Sequence, residues 1–194
     1  MKRKMSTAAL TYTALMAALA IILSYFPEIP FPMPVAPWLK LDFAFVPMLL
    51  IGFSMGPVFA VLTLVITNVV RLLGTDSFGV GQLANILMGL SFLLPPAVMY
   101  RKKRDLKHAL AGTVLGVVLM AVMGVLTNRY LLVPALLGEK MATFPMTEYL
   151  IKAIIPFNLI KGTVNGAITF ALYKRLSVIL KGAEKESNVQ SPNK

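Results

Sequence analysis

The chain has 194 residues, 57% hydrophobic and 14% charged, with a formal net charge of +11; its mean hydropathy is +0.76. A soluble domain runs near 45–50% apolar and about 25% charged, so the excess is too large for one buried core and points to an integral membrane protein. With no cysteine and a single histidine, His108, disulfides, thiolate metal sites, cysteine nucleophiles and multi-histidine metal centres are excluded.

The positive charge alone would suit nucleic acid. The basic residues cluster just beyond the ends of apolar runs, however, which is a membrane pattern, and no nucleic-acid partner is expected. The runs are long and lack strand-like alternation, so helices rather than a barrel are expected to span. No small-residue cleavage site follows the first run, so no cleavable signal is expected.

Met1 to Ser6 is short and basic. A first helix is predicted from Thr7 to Tyr25. Ala14 and Ala18 lie four apart with Ala17 alongside, a small-residue face that allows another helix to approach closely; the plainer reading is that alanine simply favours helix. Phe26 to Lys40 holds five prolines, Pro27, Pro30, Pro32, Pro34 and Pro37. Proline fixes φ and removes donors, so this stretch is an extended loop. With Phe31, Met33 and the one tryptophan, Trp38, residues 26–41 read as a lid over a cavity; the alternative is an interfacial anchor.

A short second helix is predicted over Asp42–Phe53. At about 1.5 Å per residue it falls short of a bilayer. The Gly56-Pro57 turn starts a third helix, to Leu73, with Thr63, Thr67 and Asn68 as polar insertions. A fourth covers Val80–Tyr100, with Gln82 and Asn85 on one face near its start and Pro95-Pro96 kinking its second half. A fifth covers Ala109–Leu132 and ends before Pro134. A sixth runs from Glu148 to Ile179, and Pro156 divides an entering turn from the span itself. The expected fold is an all-α membrane protein: a single six-helix bundle over residues 1–182, with a polar, disordered tail at 183–194. Six spans put both termini on one side. Most of the 19 basic residues fall on that side, so the termini are expected to be cytoplasmic and the proline-rich loop extracellular, in a multi-pass protein of the cell membrane.

No GxxxxGK[ST] loop is present, and the eight acidic residues lie in loops or at helix ends. Nucleotide hydrolysis by that route, a carboxylate proton relay and an enzyme are therefore not expected. What remains is a polar face inside an apolar run. Asn158 and Lys161 are three apart and Asn165 continues the face. A charge at membrane depth is costly unless it faces a polar interior, a partner or a ligand. Asn68, Gln82, Asn85 and Asn128 fall at similar depth by topology, and Asp42 opens the second helix beneath the loop. Together these offer donors and acceptors for a neutral or weakly anionic solute. Each has a plainer role: membrane asparagines join helices, Asp42 is a candidate N-cap, and Lys161 could snorkel or pair with an acid.

Leu41-Asp42-Phe43 before Pro47, Gly56-Pro57, Val80-Gly81-Gln82-Leu83-Ala84-Asn85, Asn128 with Leu132 and Pro134, and above all Pro156-Phe157-Asn158-Leu159-Ile160-Lys161-Gly162 resemble the substrate-binding S components of energy-coupling factor vitamin transporters, of the riboflavin type. The resemblance covers nearly the whole chain. It implies a six-helix bundle that binds one vitamin near the outer face beneath the loop after helix 1. It also implies a membrane coupling protein and two separate ATPase subunits as partners, with Ala14 and Ala18 in the docking motif, and riboflavin as transported ligand rather than cofactor. Asn128, Asn158 and Lys161 match positions that hydrogen-bond the flavin in that family. Asn68, Gln82 and Asn85 rest on topology, and a related flavin such as FMN, another vitamin, or a solitary secondary transporter are the alternatives.

Overall fold

The computed structural model describes residues 7–32, 36, 39–74 and 79–189. Lys2, Arg3 and Lys4, the loop residues Met33, Pro34, Pro37 and Trp38, and residues 190–194 of the expected tail lie outside them. Among the described residues the fold is all-helical apart from one short ribbon. Helix α1 spans Thr7–Tyr25, the bounds read from sequence. The proline-rich segment then closes on itself: β1 (Ile29–Pro30) pairs antiparallel with β2 (Lys40–Leu41), Ile29 opposite Leu41. The expected extended loop is thus paired at its base as a short ribbon.

Helix α2, Phe45–Met55, is the centre of the bundle, with every residue from Phe45 to Phe53 buried. A helix apolar on all sides must be covered on all sides; α1, α3 (Pro57–Arg71), α4 (Val80–Lys102) and α8 (Ile155–Val189) pack around it. Gly56 makes the α2–α3 corner at φ 101°, a conformation that favours glycine. Pro57 then takes the first helical position, where a missing N–H costs nothing.

Helix α5, Leu106–Thr127, lies along α4, and glycines set the separation. A β-carbon at Gly112 would stand 2.5 Å from the Cα of Pro96, and one at Gly116 would stand 2.4 Å from the Phe92 carbonyl oxygen. Pro95 and Pro96 are thereby held within a continuous helix, packed against a partner whose backbone comes close. The main core fills the space between these helices, with Phe45, Met48, Leu49, Leu64, Phe92, Leu93 and Met120 buried together.

Two π turns interrupt the helices, both beside prolines. After α5 the chain makes a π turn, Asn128–Leu132, and continues as α6, Val133–Leu137. Pro134 therefore does not end the fifth helix as expected. It sits in the first turn of a new segment whose register the π turn has shifted. Likewise α7 (Met146–Tyr149) passes through a π turn, Leu150–Ile154, into α8, and Pro156 stands at the second position of α8. The predicted division at Pro156 appears as this register shift. The backbone of α8 is helical to Val189, beyond the boundary expected at 182.

The outer surface is that of a membrane protein. On α5, Leu110, Val114, Val118, Val122 and Leu126 recur every fourth residue and all are exposed, Val114 at 64%; water would not tolerate so long an apolar stripe. Among the described residues, three helical stretches are long and apolar enough to cross a bilayer: Pro57–Gly74, Val80–Lys102 and Leu106–Leu137. Two shorter apolar helices, Ala9–Tyr25 and Phe45–Met55, complete the apolar set.

Candidate functional site

Both π turns open onto one cavity of about 270 Å³, close to the lower end of ligand pockets at roughly 300 Å³. Its walls come from α4 (Met88), the first π turn (Asn128, Leu132), α6 (Val133, Leu136, Leu137), the second π turn and its approach (Tyr149, Ile154) and the start of α8 (Phe157, Asn158). Leu39 of the proline-rich segment completes the lining. That segment is anchored over the same region. Ala36 is fully buried among Val133, Tyr149, Leu150, Ala153 and Ile154. The Phe31 ring packs edge-on against Phe157 with centroids 5.3 Å apart.

The lining is apolar except for three side chains. The Asn128 amide nitrogen donates to the Gly124 carbonyl at 2.8 Å, and its Oδ1 accepts from the Tyr149 hydroxyl at 2.7 Å. The Asn158 amide nitrogen donates to the Ile154 carbonyl at 2.9 Å. Its Oδ1 has no partner among the described residues, although Asn158 is only 1% exposed. A buried acceptor left unpaired costs about 1–3 kcal/mol, and a ligand N–H or O–H would recover it. No charged side chain lines the cavity among the described residues.

Lys161 does not line this cavity. It lies one helical turn beyond Asn158, buried, with its Nζ 2.6 Å from Asp42 Oδ2. Of the readings open for Lys161, pairing with an acid is the one the fold realises. Asp42 is correspondingly not the N-cap of α2; Ala44 holds that position, and Asp42 Oδ1 accepts from the Ala44 N–H at 3.2 Å. Asn165 ties the pair together, its amide nitrogen donating to the Asp42 carbonyl at 3.0 Å and to the Lys161 carbonyl at 2.9 Å. The charges continue outward. Arg71 at the end of α3 stands 3.9 Å from Asp42 and 3.2 Å from Glu28, and Lys40 stands 2.6 Å from Glu28. The Arg71 guanidinium also lies 5.2 Å from the centre of the Tyr25 ring. Positive and negative groups thus alternate from the core to the base of the ribbon.

The remaining predicted residues fall elsewhere. Asn85 donates to Asn68 Oδ1 at 2.9 Å, and Asn68 donates to the Leu64 carbonyl at 2.8 Å, so these two amides join α3 to α4. Gln82 lies half-buried one turn before Asn85, and neither it nor the pair lines the cavity. Leu41 and Phe43 are half-buried on either side of Asp42. On α1, Ala14 and Ala18 are exposed on one face, but Ala17 is 3% exposed and packs inward, so it is not part of that face. The sequence reading missed Tyr149, Arg71 and Glu28. Tyr149 carried a signal, an aromatic ring with a polar tip just before the apolar run; Arg71 and Glu28 carried none beyond their charge.

Residues 8–173 match the family model described as ECF transporter, substrate-specific component. The chain is 34% identical over 173 residues to the riboflavin transporter RibU of Staphylococcus aureus (strain TCH60), covering 87% of this chain and 89% of the relative. It is 27% identical over 175 residues to the riboflavin transporter FmnP of Bacillus subtilis (strain 168), covering 86% and 90%. A solved structure described as the S component of a bacterial ECF transporter superposes with a TM-score of 0.75 at 33% identity, covering 89% of this chain and 96% of that one. A match of this extent in both sequence and fold places the chain in the family of ECF transporter substrate-specific components.

Proposed function

We propose that this chain is the riboflavin-binding membrane subunit of an ECF-type uptake system and that the cavity between the two π turns receives the vitamin. The observation that carries the reading is the unpaired, buried Oδ1 of Asn158 in a largely apolar cavity whose other polar side chains, Asn128 and Tyr149, are hydrogen-bonded to each other. A flat, largely apolar ring system with hydrogen-bonding edges suits such walls. Relatives named as riboflavin transporters support that ligand over another vitamin. The uncharged lining favours riboflavin over its phosphate ester, since a phosphate taken out of water with no cation beside it is strongly disfavoured. The segment 26–41 acts as the lid, through Phe31, Ala36 and Leu39. Lys161 and Asn165 support the α8 face, and Lys161 reaches a bound ligand only by leaving Asp42.

In this reading the chain crosses the cell membrane six times with both termini in the cytoplasm, and the basic residues Arg101 to Lys107 sit at the cytoplasmic headgroups. Transport is driven by a membrane coupling protein and two ATPase subunits, and the exposed Ala14–Ala18 face of α1 is the contact for the coupling protein. Fluorescence titration of purified protein with riboflavin and with FMN tests the ligand assignment. Saturable quenching by riboflavin, with FMN at least about tenfold weaker, is expected; equal binding of the two, or none of riboflavin, contradicts it.

A further inference from the structure

Gly124 stands where the two cavity asparagines meet α5. Its carbonyl oxygen accepts from the Asn128 amide nitrogen at 2.8 Å. Its Cα face is covered by Asn158: a β-carbon at position 124 would lie 2.5 Å from Asn158 Nδ2, 3.0 Å from Cγ and 3.5 Å from Oδ1, and these are its three nearest atoms. The other glycines that the helices pack closely against meet different groups: Gly112 and Gly116 meet backbone of α4, and Gly162 meets Val117 and Phe92.

We infer that Gly124 is a positioning residue for riboflavin binding, acting through Asn158. The inference rests on the riboflavin reading above. The nearest side chain that a methyl group here would have to displace is Asn158. To reach ordinary van der Waals separation the Asn158 amide would have to retreat by about 1 Å. Its nitrogen is held by the Ile154 carbonyl at 2.9 Å, and Asn158 is buried on all other sides. The carboxamide therefore either breaks that bond or swings toward the cavity. Both moves displace Oδ1, the unpaired acceptor of the cavity lining. Asn128 is oriented by a backbone atom of the same residue, so glycine at 124 sets both amides from one point.

Alanine normally favours helix over glycine, so a loss caused by Gly124→Ala would run against local propensity. The test is a double-mutant cycle with Gly124→Ala, Asn158→Ala and the combined variant, read by riboflavin titration and by thermal unfolding of the ligand-free protein. Gly124→Ala should weaken riboflavin binding about tenfold, the loss of one buried hydrogen bond. In the Asn158→Ala background the same change should alter affinity by less than about twofold. It should also lower the melting temperature of the wild-type protein but not of the Asn158→Ala protein. Unchanged binding by Gly124→Ala, or equal losses in both backgrounds, overturns the inference. If the wild-type protein fails to bind riboflavin the ligand reading falls, while the melting cycle still decides whether Gly124 acts through Asn158.

Discussion

Asp42 and Lys161 are 119 residues apart in the chain and 2.6 Å apart in the fold. Removing Asp42 leaves Lys161 buried with no acid partner among the described residues, which costs about 3–5 kcal/mol, and removing Lys161 leaves Asp42 with only Arg71 at 3.9 Å, whereas replacing both by apolar groups of similar volume is often neutral. Lys161→Met alone and Asp42→Leu alone should therefore each lower the melting temperature sharply, and the double variant should recover most of the loss. Equal and additive losses would show that the pair does not act as a unit. The asparagines differ from the ion pair in what they leave open. Asn128 has both functions occupied by Gly124 and Tyr149, while Asn158 keeps an acceptor unpaired beside the cavity. That difference between two residues of one type makes Asn158 the stronger candidate for ligand contact. Spacing along the helix put Asn158, Lys161 and Asn165 on one face, and all three are buried on it. It could not say what that face meets, because a period of 3.6 gives direction and not distance. Spacing alone made Lys161 a candidate wall of the binding site; in the fold its Nζ lies against Asp42, outside the cavity lining.

At the scale of elements, Arg71 connects the end of α3 to both ends of the proline-rich segment: Glu28 near its start, Asp42 just after it, and Tyr25 before it. Half-exposed ion pairs are individually weak, near 0–1 kcal/mol, and networks do better. Arg71→Gln should leave the fold intact and loosen the segment. Faster proteolysis or hydrogen exchange within residues 26–41, with riboflavin dissociating faster, is the expected result; unchanged exchange there would show that apolar contacts alone hold it. Helix α1, the glycine-proline corner and the proline-rich connection were legible because each depends on local chemistry. The two π turns were not. Pro134 and Pro156 announce a break in the hydrogen-bond ladder but not whether the chain stops or shifts register. The close approach of α4 and α5 at Gly112 and Gly116 was equally hidden, since the atoms those glycines admit belong to another helix.

For the whole molecule, a central helix buried on every side, an apolar exterior and a cavity with no charged lining among the described residues describe a membrane-embedded binding subunit. If the exposed Ala14–Ala18 face is the contact proposed for the coupling protein, a larger side chain there obstructs that partner and leaves the core untouched. Ala14→Leu with Ala18→Leu should abolish copurification of the coupling module in mild detergent while riboflavin affinity changes less than about twofold; retained copurification would move the docking surface elsewhere. Ala17→Leu should instead destabilise the chain, because Ala17 is packed inside. The most direct measurement is the absorbance spectrum of the purified protein, before and after added riboflavin. The account predicts flavin bands that persist through gel filtration and, when the vitamin is stripped, return on its addition. A protein that stays colourless after riboflavin is added and the excess removed would contradict it.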